Sequence, residues 1–231
     1  MAGLSVDYYT RLEQGRERNP SAQTVGALAA ALDLDHHARA HLGLLAGVPT
    51  AAAVGPTQVH PSMHQLLEQW ARTPAYVVDD TQQILAQNAL GELLHSGFTA
   101  GDDYARMLFL DEEGPRFFRD WERVAAATVG SLRRAWARPT GRQRLEPVID
   151  ELCAGSADFT RLWQAHTVAG KEREAKRLCH PQVGELTLTF HAFGIAGAEG
   201  RHLVVCQAEP GSRSEEALTL LSMLIAERTG L

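Results

Sequence analysis

Two kinds of hydrophobic spacing divide the chain. In its first fifty residues apolar positions fall three and four apart. Tyr9 and Leu12 do so in LSVDYYTRLEQG, Val25, Leu28, Ala29 and Leu32 in AQTVGALAAAL, and Ala38, Leu42 and Leu45 in HHARAHLGLLAG. That period belongs to amphipathic helices. Each run follows a residue suited to an N-cap, Ser5, Ser21 and Asp35, and Gly15, Pro20 and Gly47 stand where chain breaks are expected. The spacing therefore predicts three short helices over residues 1–47. The stretch VPTAAAVGPTQVHP has no period and is rich in Ala, Pro and Gly, which predicts a linker over 48–61.

Beyond Ser62 the pattern mixes both periods. MHQLLEQWA reads as a helix stopped at Thr73 and Pro74, and AYVVDD and QILAQ as a hairpin turning at Asp80 to Gln82. Asn88 caps NALGELLHS, and YARMLFL is a short apolar run. PRFFRDWERVAAATVGSLRRAWAR is the longest helical pattern, with Pro115 in its first turn and a stripe of Phe117, Trp121, Val124, Val129, Leu132 and Trp136. Helices over RLEPVIDELCA and ADFTRLWQAH lead to ELTLTFHAF, where Leu186, Leu188 and Phe190 alternate with Thr187, Thr189 and His191. HLVVCQ is its expected antiparallel neighbour, and KEREAKRLCH a third strand. A capping box from Ser212 to Glu215 opens the last helix. The expected fold class is α+β: an all-α helix-turn-helix unit over 1–47, then an antiparallel sheet with flanking helices over 62–231.

Charge and composition then narrow the function. The formal net charge of -6 argues against general adhesion to nucleic acid, though not against a small local surface. In a helix-turn-helix, the N-terminal residues of one short helix meet base edges in the major groove. Here Val6, Asp7 and Arg11 would face outward while Tyr9 and Leu12 face the core, and Arg16 and Arg18 would reach phosphates from the following loop. Against this, residues 1–47 hold Arg11, Arg16, Arg18 and Arg39 but Asp7, Glu13, Glu17, Asp33 and Asp35, so the unit is slightly acidic. No apolar run approaches the roughly 20 residues of a membrane helix. Cys153, Cys179 and Cys206 are scattered and fit a reducing cytoplasm. The histidine pairs 37/41 and 60/64 lack further ligands at metal spacing, so no metal is expected. Neither a GxSxG elbow nor a phosphate loop is present, and no enzymatic activity or cofactor is expected.

SVDYYTRLEQGR with NPSAQTVGALAAAL resembles the C-terminal part of an Xre-type helix-turn-helix domain. TPAYVVDDTQQILAQN, LFLDEE, FFRDWERVAAATVGSLR, DFTRLWQAH, KRLCHPQVGELTLTF and LVVCQAEPGSRSEEALTLL resemble, in order, an MmyB-like ligand-binding domain. The motifs HPxVGELTL and AEPGSxSxxAL are the most specific. The resemblance implies a bacterial, cytoplasmic transcriptional regulator that binds operator DNA as a homodimer. Its second domain would be PAS-like and hold a small apolar, fatty-acid-like effector. It also implies two helices ahead of the first one here, so that the chain as written would hold a truncated DNA-binding unit. A stand-alone lipid or small-molecule module with a non-functional stub is the alternative. One departure is Gln87 in LAQN, where the family often has Trp.

On this resemblance the base-contacting positions are Ser5, Val6, Asp7, Tyr8 and Arg11, with Arg16 and Arg18 on phosphates. The effector would lie between a sheet contributing Tyr76, Leu85, Leu188 and Phe190 and helices contributing Met107, Phe117, Trp121 and Leu132. A carboxylate would need a buried cation. Arg177 beside His180 is the expected pair, and Arg133, Arg134 and Lys176 are expected on solvated faces.

Overall fold

A computed structural model describes residues 5–48, 59–165 and 175–229, and the chain forms two compact units, Met1–Val54 and Gly55–Leu231. The first unit contains α1 (Val6–Glu13), α2 (Ala22–Ala31) and α3 (His36–Leu45). Their starts follow the caps: Ser5, Ser21 and Asp35 accept from the backbone N–H three residues on. Their ends share one geometry. Arg16 N–H reaches back to Arg11 and Gly15 N–H to Leu12, with Gly15 at φ 66°. That is a Schellman ending, which needs a left-handed residue and so favours glycine. Asp33, at φ 48°, plays the same part after α2. Val25 and Ala29 are buried within this unit. The expectation for Tyr9 is corrected: Tyr9 is exposed and donates to Glu13 at 2.7 Å, while Tyr8 is half-buried. Most of the expected linker, 49–58, lies outside the described residues.

The second unit opens with α4 (Pro61–Glu68), β1 (Ala75–Asp79), β2 (Ile84–Gln87), α5 (Ala89–Leu94), α6 (Tyr104–Phe109) and α7 (Gly114–Phe117). It continues through α8 (Trp121–Trp136), α9 (Gly141–Gly155), α10 (Ala157–Gln164), β3 (Ala175–His180), β4 (Gly184–Gly194), β5 (Arg201–Ala208) and α11 (Arg213–Thr229). The strands make one antiparallel sheet in the order β2-β1-β5-β4-β3. Alternation along the strands gives the sheet two apolar faces. The inner face, with Tyr76, Val78, Leu178, Leu186, Leu188, Val204 and Cys206, packs on α5 to α11 in one large core. The outer face, with Ala75, Val77 and Ala86, packs on Leu67 of α4.

Asn88 ties these layers together. Its Oδ1 accepts from Gly91 N at 2.8 Å, capping α5, and from Ala75 N at 3.1 Å, while its Nδ2 donates to the Thr73 and Trp70 carbonyls. The expected continuous helix over 115–138 is broken instead at Phe118, which is extended and bridges to Leu178 while Arg119 N donates to the Arg177 carbonyl. Pairing with the sheet overrides the helical period there. On the opposite side of the sheet, Gln83 bridges to Asp103, and Ile84 N donates to the Asp102 carbonyl. Between α8 and α9 the backbones touch at Gly141, where a Cβ would fall 1.8 Å from the Ala135 carbonyl oxygen. Ser212 caps α11 as expected, accepting from Glu215 N, but the Glu215 carboxylate reaches Gly211 N rather than Ser212 N.

Candidate functional site

The outward face of α1 follows from its cap. Fixing Ser5 extended starts the helix at Val6, which leaves Val6 79% exposed and Asp7, Arg11, Arg16 and Arg18 exposed. Arg18 bends back to donate to the Gly15 carbonyl at 3.2 Å. Arg16 and Arg18 thus follow the helix ending, and Arg11 is on the helix itself. Tyr8 differs from the other six: half-buried, it is on the inner side of the helix.

In the second unit, the inner sheet face carries a polar group inside the aromatic core. Lys176, Leu178 and His180 share the inward side of β3 because they alternate. Lys176 Nζ donates to the Tyr104 hydroxyl at 2.8 Å and lies 4.1 Å from the Phe190 ring centroid and 5.0 Å from that of Tyr104. His95, 2% exposed, meets Tyr76 and Tyr104 edge-on at 5.5 and 6.5 Å. Tyr76 stands opposite Gln87 on the neighbouring strand.

Burial sets the protonation of this group. It lowers the His95 imidazole to about 4, helped by the charge of Lys176, so His95 is neutral. It pushes the Cys206 thiol up to about 12 against the pull of Lys176, and raises both tyrosines. Cys206 is therefore a protonated, unreactive thiol. Hydrogen bonding leaves some of these groups incomplete. Among the described residues, buried side-chain polar atoms without a hydrogen-bond partner occur on Gln87 (Oε1), His95 (Nδ1) and Arg133 (Nε and Nη2), all in this unit. Native interiors seldom leave such atoms unmet.

The helical side of the core is a chain of aromatic contacts. Phe109 meets Trp121 at 5.9 Å and Phe159 at 5.0 Å, Phe159 stacks on Trp163 at 5.9 Å, and Trp163 meets Trp136 at 5.8 Å. Trp121 is anchored by its indole N–H to the Leu108 carbonyl at 2.8 Å.

The expected effector residues divide. Tyr76, Met107, Phe117, Leu132 and Leu188 are buried in the inner core, with Trp121 and Phe190 half-buried against it. Leu85 is on the outer face with Trp70 and Val205, because the β1–β2 register shifts beside it, from Val77↔Ala86 to Val78↔Ile84. Arg177 and His180 are not neighbours, since residues three apart on a strand face opposite ways. Arg177, 64% exposed at its side chain, holds Asp120 through Nε at 2.9 Å and through Nη2. His180 is buried, and both its nitrogens are engaged. Gln182 N–H donates to Nδ1 at 3.2 Å, so Nε2–H donates to the Leu93 carbonyl at 3.0 Å. The inward cation of β3 is Lys176 and not Arg177. The strand alternation with Leu178 was the signal for it; nothing in the sequence pattern pointed to His95 or to burial of Arg133.

Beside the start of α8, an open depression of about 650 Å³ is lined by Arg119, Asp120, Trp121, Glu122 and Arg123, a surface of paired charges unlike the interior.

A helix-turn-helix domain family model matches residues 1–42, over the three-helix unit. Residues 59–221, nearly the whole sheet-containing unit, match the MmyB-like transcription regulator ligand binding domain. No curated protein matches the chain. A DNA-binding unit joined to a domain of this kind is the arrangement of a ligand-responsive transcriptional regulator, and the chain belongs to the family of MmyB-like transcription regulators.

Proposed function

We propose that this protein is a bacterial, cytoplasmic regulator that senses a small, largely apolar, fatty-acid-like molecule in its second unit and binds operator DNA as a homodimer. The observation that carries the effector reading is the set of buried, unpartnered polar atoms on Gln87, His95 and Arg133 within an otherwise aromatic and aliphatic core. Ligand sites of this kind are mostly apolar with few polar anchors. The sheet order β2-β1-β5-β4-β3 supports the PAS-like reading. A homodimer follows from the way helix-turn-helix proteins read paired half-sites. The effector must bind the DNA-competent and incompetent states unequally, since only differential affinity shifts the balance.

Native mass spectrometry of protein purified from its host, with a thermal shift series of C12 to C16 acids, tests the sensing half. A co-purifying lipid or a rise in Tm with one of the acids is expected; neither appearing overturns it. For the DNA half, a mobility-shift titration on the gene's own promoter is expected to show binding that weakens with salt and with Arg11→Ala. The acidic excess of residues 1–47 favours the alternative of a ligand module that does not touch DNA. Absence of any salt-dependent shift would establish that alternative.

A further inference from the structure

Arg133 lies on the inward side of α8, next to Leu132 and one turn before Trp136. Its guanidinium carbon stands over the Trp163 ring at 4.5 Å from the centroid. That stack uses the flat face of the guanidinium and leaves its edges free. The two atoms without partners, Nε and Nη2, are both buried and belong to the same edge. Their N–H bonds run side by side, the spacing that grips both oxygens of a carboxylate. Elsewhere in this molecule the same edge is filled in that way: Arg177 uses Nε and Nη2 on the two oxygens of Asp120. Among the described residues none supplies an acceptor to this edge of Arg133, although burying a charged donor unmet is strongly unfavourable.

We infer that Arg133 is the carboxylate-recognising residue of the effector site, with the apolar body of the acid lying along Trp136, Trp163 and Phe159. The inference rests on the reading that the second unit takes such an acid, and adds which residue reads its charge. Lys176, the other inward cation, is less suited, because its ammonium is already engaged by the Tyr104 hydroxyl and two ring faces. A chain ending in a carboxylate would complete the Arg133 edge; a chain of equal length ending in a hydroxyl offers one acceptor and no charge.

The test is to titrate the full chain with dodecanoate and with dodecanol, following tryptophan fluorescence and calorimetric heat. Wild type is expected to prefer the acid by tenfold or more. Arg133→Met should abolish that preference while keeping dodecanol affinity, and Arg133→Lys should keep part of it. Arg134→Met, on the exposed neighbour, should leave the preference intact. Thermal unfolding of each variant confirms a folded protein, and the Lys variant serves if the Met variant does not fold. Equal wild-type affinity for acid and alcohol overturns the assignment, meaning that water completes the edge. A preference that survives in both Arg133 variants, or is lost in Lys176→Met alone, also overturns it while leaving the effector reading standing. Binding of neither compound overturns both.

Discussion

The two ends of α8 carry arginine chemistry of opposite kinds. At its start, Asp120 is held by Arg177 from β3 and by Arg123 one turn on, all in reach of solvent. Toward its end, Arg133 is pressed on Trp163 with one edge unmet. The first cluster is complete within the chain and adds little, because water would solvate the same charges almost as well. The second is incomplete where water is scarce, so a missing acceptor there costs far more. The difference teaches where to look for a ligand: at buried groups the fold leaves unfinished rather than at surface groups it has matched.

Four measurements would break or sharpen this contrast. The largest effect is expected from Phe159→Ala, which removes a fully buried ring that stacks on Trp163. It should cost about 3–5 kcal/mol in denaturant unfolding and dislodge the surface on which Arg133 rests. A normal acid preference in a folded Phe159→Ala protein would mean the aromatic wall is not what holds the guanidinium.

Next comes the pH response of the interior. His95 titrates near 4 when folded and near its ordinary 6.5 when unfolded. Its folded pKa is depressed, so the unfolded chain takes up the proton first as pH falls. Its contribution is therefore full above pH 6.5 and is lost on the way down to 4, on the order of 3 kcal/mol in all. Comparing wild type with His95→Phe across this window should show the wild type losing stability more steeply; parallel curves would place His95 in contact with water.

Arg133→Met should leave the ligand-free protein as stable or raise its unfolding free energy by about 1 kcal/mol, since a thioether has no unmet donors in an apolar site. A marked loss would show that the chain itself satisfies the guanidinium. The smallest effect belongs to Asp120→Asn. Hydrogen bonding from Arg177, with help from Arg123, holds the Asp120 carboxyl at about 2, below its ordinary 3.8. Its contribution is present above pH 3.8 and fades as pH falls through 2. Urea midpoints should thus differ slightly at pH 6, less in added salt, and converge only as pH falls below 2.

Much of the fold was legible from local signals. Ser5, Ser21, Asp35 and Asn88 each cap the helix their position suggested, because capping depends on residues three apart in sequence. The hairpin and the β4–β5 pairing followed from alternation. What was illegible depends on distant partners. Phe118 leaves the helical pattern only because Leu178 pairs with it sixty residues away. Leu85 changes face through a register shift that periodicity alone does not show. At the candidate site, alternation along AKRLCH places Lys176 with Leu178 and His180, and applying it strictly would have set Arg177 outside. Arg133 sits in an arginine pair on a charged helix, and its burial comes from α10 folding over it; no spacing within α8 encodes that.

The break at Phe118 has a counterpart, and together they bear on assembly. Among the described residues the sheet ends at β3 on one side and at β2 on the other. At the first border Phe118 and Arg119 pair with the strand just before α8 begins, and at the second Asp102 and Asp103 do so just before α6 begins. In each case the pairing segment turns at once into a helix, so the covering is only a residue or two long and leads nowhere a further strand could follow. A bare border invites strand addition from another molecule, and short covers of this kind discourage it. Joining of this sheet to another molecule's sheet is therefore discouraged at Leu178 on one border and at Gln83 and Ile84 on the other.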